Sequence, residues 1–163
     1  MTTTKPKPYL LTSDGLRRLT DELNRLRTEG REAVAERLRR AFADGQDDDF
    51  VDNAELEAAR HEQSFLEGRI LELEQILSNY QIIDHMEMAH DSVRVGDWVT
   101  VVEVGTTETE RYMIVGAAEA DPAAGRISNE SPLGKSLLGK KKGDEVVIVA
   151  PRGQMKFRVV EIG

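Results

Sequence analysis

Leu16, Leu19, Leu23 and Leu26 stand three and four residues apart, and Val34, Leu38 and Phe42 carry the same apolar stripe onward. Arg17, Arg18, Glu22, Arg25, Glu32, Glu36 and Arg40 fill the positions between them. A narrow apolar seam on a charged rod is stable only when a second helix covers it, which is the coiled-coil pattern. The helix is expected to start at Thr12 or Ser13, either of which can cap it, with Asp14 favourable in the first turn. It is expected to stop at Asp44-Gly45, with Gly30 a weak point in its middle that costs about 1 kcal/mol relative to alanine. A second helical run begins near Asp52-Asn53 and reaches about Asn79, with Ala58/Ala59, Phe65/Leu66, Ile70, Leu73 and Ile76/Leu77 as its stripe. At 1.5 Å per residue each arm is about 40–45 Å long. A short connection forces two such arms antiparallel.

After Asn79 the period changes. The segments 98–104 (WVTVVEV), 111–115 (RYMIV), 145–149 (EVVIV) and 156–160 (KFRVV) are rich in β-branched residues and read as strands. Gly105-Thr106, Asp121-Pro122, Gly143-Asp144 and Pro151-Arg152-Gly153 separate them as turns. Leu133 to Leu138, after Pro132, reads as one short helix, and the segment around 81–91 joins the two parts. The expectation is therefore an α+β chain: an antiparallel coiled-coil hairpin over 1–80 and a β-rich domain over 81–163. The net charge of −8 argues against general binding to a nucleic-acid backbone as the main activity. There is no cysteine, which removes disulfides, thiolate metal sites and cysteine nucleophiles. The start, MTTTKPKPYLL, lacks the apolar core of a secretory signal, and no segment is apolar enough to span a bilayer, so a cytoplasmic protein is expected.

Between the two helical runs the segment 47–55, DDDFVDNAE, holds four aspartates and a glutamate in nine positions. A charge block is ordinarily just solvated. This one falls at the bend of a long hairpin. Asp49 and Asp52 are three apart at a helix start, so both carboxylates can project from one face. Two such oxygens suit a hard cation such as Mg²⁺. A calcium loop counted from Asp44 puts Asp48 fifth, Asp52 ninth and Glu55 twelfth, but Asp49 stands at the sixth position, where the turn demands glycine. His61, followed by Glu62, has no second histidine four residues on, so the zinc-protease pattern is missing; His85 and His90 carry no ligand spacing. Arg37, Arg39, Arg40 and Arg60 flank the bend and read as charge balance or as a basic flank for an RNA phosphate.

Several motifs, in order, resemble the bacterial Gre-type transcript cleavage factors of the GreA/GreB family. They are LTSDGLRRLTDEL, DNAELEAARHEQSFLEGRI, LSNYQIID, RYMIVGAAEAD, ISNESPLGKSLLGKKKGDEV and PRGQMKFRVVEI, and ISNESPLGKSLLG is the most specific. The resemblance runs from about Tyr9 to Ile162. It implies a coiled-coil hairpin followed by a domain like the FK506-binding proteins. It also implies a monomer that docks on RNA polymerase at the rim of the secondary channel and meets the 3′ end of backtracked RNA. The polymerase, not the factor, then cuts the RNA, so the chain is not expected to be an enzyme alone.

By position the resemblance places the family's two acids on Asp49 and Asp52, sharing Mg²⁺ with the polymerase active site and helping to position a water. It places the docking loop on Glu130, Ser131 and Pro132. Arg60 matches a recurring arginine, and Arg37 and Arg40 fall in an RNA-facing basic patch. Proline isomerase activity does not follow from the fold, since Trp98, Tyr112 and Phe157 serve equally as core. The tip departs from the usual one: the second acid is aspartate, Val51 stands for a basic residue, Leu56 stands for an aromatic, and Asp47 and Asp48 are additional. Some homologues with aspartate-rich tips inhibit polymerase by occluding the channel. The tip is thus compatible with cleavage or with inhibition.

Overall fold

The structure is a computed structural model that describes residues 6–44, 54–84 and 90–163. By contact the chain divides into two units: Leu16–Ser78, and Met1–Gly15 together with Asn79–Gly163. The sequence-based division at 80/81 and this one differ at the N-terminus, where residues up to Gly15 group with the β-rich unit.

The helical unit is a hairpin. α1 (Ser13–Arg25) and α2 (Arg31–Asp44) form one arm, and α3 (Ala54–Ser78) forms the other. Cross-arm ion pairs fix their sense: Glu22 meets Arg69, Arg27 meets Glu74, Arg31 meets Glu67 and Arg37 meets Glu62. Partners come earlier in α3 as one moves along from Arg27 to Arg37, so the arms are antiparallel. The buried seam is Leu19, Leu23, Val34 and Ala41 on the first arm and Ala59, Ile70, Leu73 and Ile76 on the second.

Three details correct the sequence reading. The first arm is not one α-helix: Leu26–Gly30 is a π-helical turn. Leu26 and Val34 are eight residues apart, one more than a heptad, and a wider turn absorbs the extra residue and returns Val34 to the seam. Gly30 sits in that turn because Leu66 of α3 crosses it closely: a Cβ there would lie 2.9 Å from Leu66 Cδ1. Phe42 and Phe65, read as seam, are instead 54% and 81% exposed, and Ala41 takes the buried place beside Phe42.

The β-rich unit holds a five-stranded sheet in the order β5-β4-β3-β7-β6. Its strands are β3 (Trp98–Glu103), β4 (Thr109–Val115), β5 (Arg126–Ser128), β6 (Glu145–Ala150) and β7 (Gly153–Ile162). β3, β4, β6 and β7 pair antiparallel with their sheet neighbours among themselves, and β5 joins β4 in parallel. The core is Val93, Val99, Val101, Ile114, Leu137, Val146, Phe157 and Val159, with Tyr112 packed against it. Trp98 is half-buried under the Arg111 guanidinium, 4.8 Å from its ring centroid. The short helix α4 (Pro132–Leu137) sends Leu137 into this core.

A second, two-stranded sheet pairs β1 (Tyr9–Leu11) in parallel with β2 (Tyr80–Ile82). Thr12 then caps α1: its hydroxyl oxygen accepts the Gly15 N–H at 2.9 Å. The Thr12 N–H and hydroxyl both donate to the buried carboxylate of Glu119, at 2.7 and 2.8 Å. The Ser13 N–H and hydroxyl donate to Asp84. No helix among the described residues is long and apolar enough to cross a membrane.

Candidate functional site: a docking loop, a basic flank and an acidic bend

The loop 128–132 is built by hydrogen bonds rather than by bulk. The Ser131 N–H and hydroxyl both donate to the Ser128 carbonyl, at 3.0 and 2.7 Å. The Ser131 hydroxyl oxygen accepts from the Gly134 N–H at 3.1 Å, making Ser131 the N-cap of α4, and Pro132 occupies the first turn, where its missing N–H costs nothing. The Glu130 N–H donates to the Ser128 hydroxyl at 3.0 Å. The three residues expected to dock are therefore contiguous but differ in role. Glu130 and Pro132 are exposed, whereas the Ser131 hydroxyl is committed to holding the loop.

On the hairpin, Arg37 and Arg40 are brought together. They line a cavity of about 540 Å³ with Ala33, Glu36, Ala41 and Glu55. Arg60 is not part of that lining; its guanidinium lies 3.8 Å from Glu57 on its own helix. None of the three is an isolated cation. Arg37 meets Glu62 at 2.5 Å and Glu55 at 3.5 Å, and Arg40 meets Glu36 at 3.1 Å. The hydrogen bond to Glu62 holds the Arg37 pKa above its usual value. Exposed pairs of this kind contribute little net stability, so they exchange readily for another anion.

Asp49 and Asp52 lie outside the described residues, as do Asp47, Asp48 and Val51. The chain leaves α2 at Asp44 and enters α3 at Ala54, so the acids belong to the connection between the arms. Their donor set, carboxylate oxygens alone, fits a hard divalent ion. Among the described residues no group of three or more His, Asp or Glu side chains is placed to hold a metal. His61 is exposed on α3. His90 has a definite partner: its Nε2 is 2.6 Å from the buried Asp97 carboxylate, which also accepts the Arg94 N–H at 2.7 Å. Asp97 and Glu119 are buried acids that sequence reasoning passed over.

Ionic contacts give the protein a pH dependence with a definite sign. Hydrogen bonds from Arg31 to Glu67, from Arg158 to Glu145 and from Lys141 to Asp91 hold these carboxyls below the ordinary carboxylate range. A depressed folded-state pKa contributes stability above the unfolded value and loses it as pH falls through the folded value. The thermal unfolding midpoint, followed by circular dichroism, is expected to be flat from about pH 7 to 5 and to fall below about pH 4. Glu67→Gln, Glu145→Gln and Asp91→Asn combined should flatten that fall; an unchanged acid limb would remove these groups from the account.

The description "Transcription elongation factor, N-terminal" matches residues 9–82, and "Transcription elongation factor, GreA/GreB, C-term" matches residues 88–163. The chain belongs to the GreA/GreB family of transcription elongation factors. It is 45% identical over 156 residues to the transcription elongation factor GreA of Thermoanaerobacter pseudethanolicus, covering 96% of this chain and 98% of that one. It is 43% identical to GreA of Acetivibrio thermocellus, covering 96% of each. Among solved structures, GreA factor homolog 1 (Gfh1) of Thermus thermophilus is 33% identical, covers 96% of this chain and 99% of that one, and superimposes with a TM-score of 0.42. The two family matches fall on either side of the segment 83–87, so both the hairpin arms and the five-stranded sheet lie within family territory.

Proposed function

We propose that this protein acts on RNA polymerase as a GreA-type factor, stimulating the polymerase's own cleavage of backtracked RNA. The observation that carries the reading is likeness to GreA proteins across both units, 45% over 96% of the chain, on a chain that keeps two acids at the bend of its hairpin. Glu130 and Pro132 present the docking surface at the secondary-channel rim, and Ser131 shapes it. Arg37, Arg40 and Arg60 offer guanidinium groups to the RNA backbone by trading their exposed glutamate partners for phosphate. Asp49 and Asp52 supply carboxylate oxygens to the polymerase's catalytic Mg²⁺ and orient a water for attack on the RNA phosphodiester. When bound there, the ion supplies positive charge that favours hydroxide and the developing phosphoryl charge. The chain is thus a ligand donor rather than a free-standing enzyme.

The experiment is a stalled, backtracked elongation complex given Mg²⁺ with and without the protein. Shortened RNA with a new 3′ end should appear faster than with polymerase alone. If it does not, cleavage stimulation is wrong. The extra acids Asp47 and Asp48 favour a second reading, occlusion of the channel. That reading requires slower nucleotide addition on active complexes, relieved by Asp47→Asn with Asp48→Asn.

A further inference from the structure

A cleft of about 220 Å³ opens between the N-terminal strand and the docking loop, within the β-rich unit. Lys7, Tyr9 and Leu10 form one wall, and Gly116, Ala117 and Glu130 stand opposite. Nothing in the docking reading uses this hollow, yet Glu130 belongs to both. We propose that the cleft extends the polymerase-docking surface and receives one apolar side chain of the polymerase, flanked by a basic group that meets Glu130 and an acidic group that meets Lys7. This inference rests on the docking role of Glu130, Ser131 and Pro132.

Size selects the kind of occupant. Small-molecule sites run from about 300 Å³ upward, so this hollow suits a single side chain rather than a cofactor. Its chemistry is graded. Tyr9 is 39% exposed and presents a ring, while Leu10 and Ala117 add aliphatic surface. Lys7 and Glu130 are both exposed on its walls. A part-apolar pocket with an exposed cation and an exposed anion at its walls rejects a uniformly charged partner and fixes the direction of a dipolar one.

Both walls are held before any partner arrives. The Tyr9 N–H donates to the Asn79 carbonyl at 2.9 Å, and β1 is in register with β2 from Tyr9 to Leu11. Thr12, one residue beyond, is clamped by Glu119. Gly116 lies against the Leu10 backbone so closely that a Cβ would collide with the Leu10 carbonyl oxygen. On the other side the Asn129 N–H donates to Val115 at 2.8 Å and anchors the loop that carries Glu130. A preformed pocket spares the ordering cost of binding, which is what makes such a place an anchor point. An aromatic side chain beside a charged rim is also the usual composition of an interface hot spot.

The test measures affinity for RNA polymerase core enzyme by biolayer interferometry, using the full chain. Ala117→Trp fills the cleft from an exposed position, and Lys7→Glu reverses one rim charge. Each is expected to weaken binding by about tenfold or more with the thermal midpoint unchanged. Tyr9→Ser, which shortens a wall without filling anything, should do the same and serves if Ala117→Trp fails to fold. Glu130→Lys is run alongside. If Glu130→Lys weakens binding and the folded cleft variants bind as wild type, the cleft proposal is overturned and the docking reading stands. If Glu130→Lys and the cleft variants all bind as wild type, both fall.

Discussion

Asp49→Asn combined with Asp52→Asn is expected to reduce factor-stimulated RNA cleavage by about 100-fold or more while leaving affinity for polymerase unchanged. Asparagine keeps the shape and one oxygen of each side chain but removes the charge. Even groups one layer removed from a metal change its affinity or activity by about 10- to 100-fold when replaced. Two direct oxygen donors should therefore cost at least the upper end of that range. Docking should be spared, because Glu130, Ser131 and Pro132 lie in the other unit. Single-turnover cleavage on a backtracked complex, with binding measured in parallel, decides the matter. Cleavage equal to wild type would remove the acids from the chemistry. Loss of both binding and cleavage would show that the bend contributes to docking. A variant that speeds nucleotide addition over the wild-type protein would favour occlusion.

Gly134→Ala should destabilise the β-rich unit by about 2–4 kcal/mol, although helix propensity alone predicts a gain of about 1 kcal/mol for alanine over glycine inside a helix. The sign turns on one atom. A Cβ at Gly134 would penetrate the Ser128 carbonyl oxygen, and that carbonyl cannot retreat freely. It accepts from both the Ser131 N–H and the Ser131 hydroxyl, and Ser128 ends the strand paired to Val115. Moving it costs hydrogen bonds worth about 1 kcal/mol each in addition to overpacking strain. The chain has a single tryptophan, Trp98, on β3 of this unit, so urea denaturation followed by tryptophan fluorescence reports the affected part directly. Polymerase binding should weaken with it, because Glu130 and Pro132 hang on the same turn. An unchanged or higher midpoint would mean that α4 slides away from the loop at little cost.

Local pattern carried much of the architecture because the forces it records are local. The leucine spacing states where a helix must bury a stripe, and β-branched runs broken by glycine state where strands sit. Ser131-Pro132 shows a cap and first turn in two letters. Other features depend on distant partners. β1 and β2 are three residues each and pair across about 70 positions of chain, so neither has a signal of its own. Glu119, in the polar-looking stretch AAEAD, is buried where it accepts from Thr12, 107 positions away in the chain, with Gly15 packed against it. Phe65 satisfied the apolar period yet faces outward, since hydrophobicity marks a candidate for burial and the neighbouring arm decides which candidate is covered. At the proposed site, the motif named Glu130 and Pro132 as surface and also named Ser131, whose hydroxyl the structure spends on the loop's own shape.

The π-turn at Leu26–Gly30 acts as a rotary offset in the first arm. Each residue of an α-helix advances the azimuth by about 100°. Deleting one residue from that turn would therefore restore an unbroken α-helix with Val34 seven places after Leu26 and the seam unmoved, whereas winding all eight residues as regular α-helix would swing everything beyond them around the axis by about a quarter-turn. In that regular helix Val34 and Ala41 would leave the seam, and Arg37 would turn away from Glu62 and Glu55. The wide turn thus sets the compass bearing of the distal half of the arm despite the supernumerary residue, and with it the side on which the arginine pair is displayed.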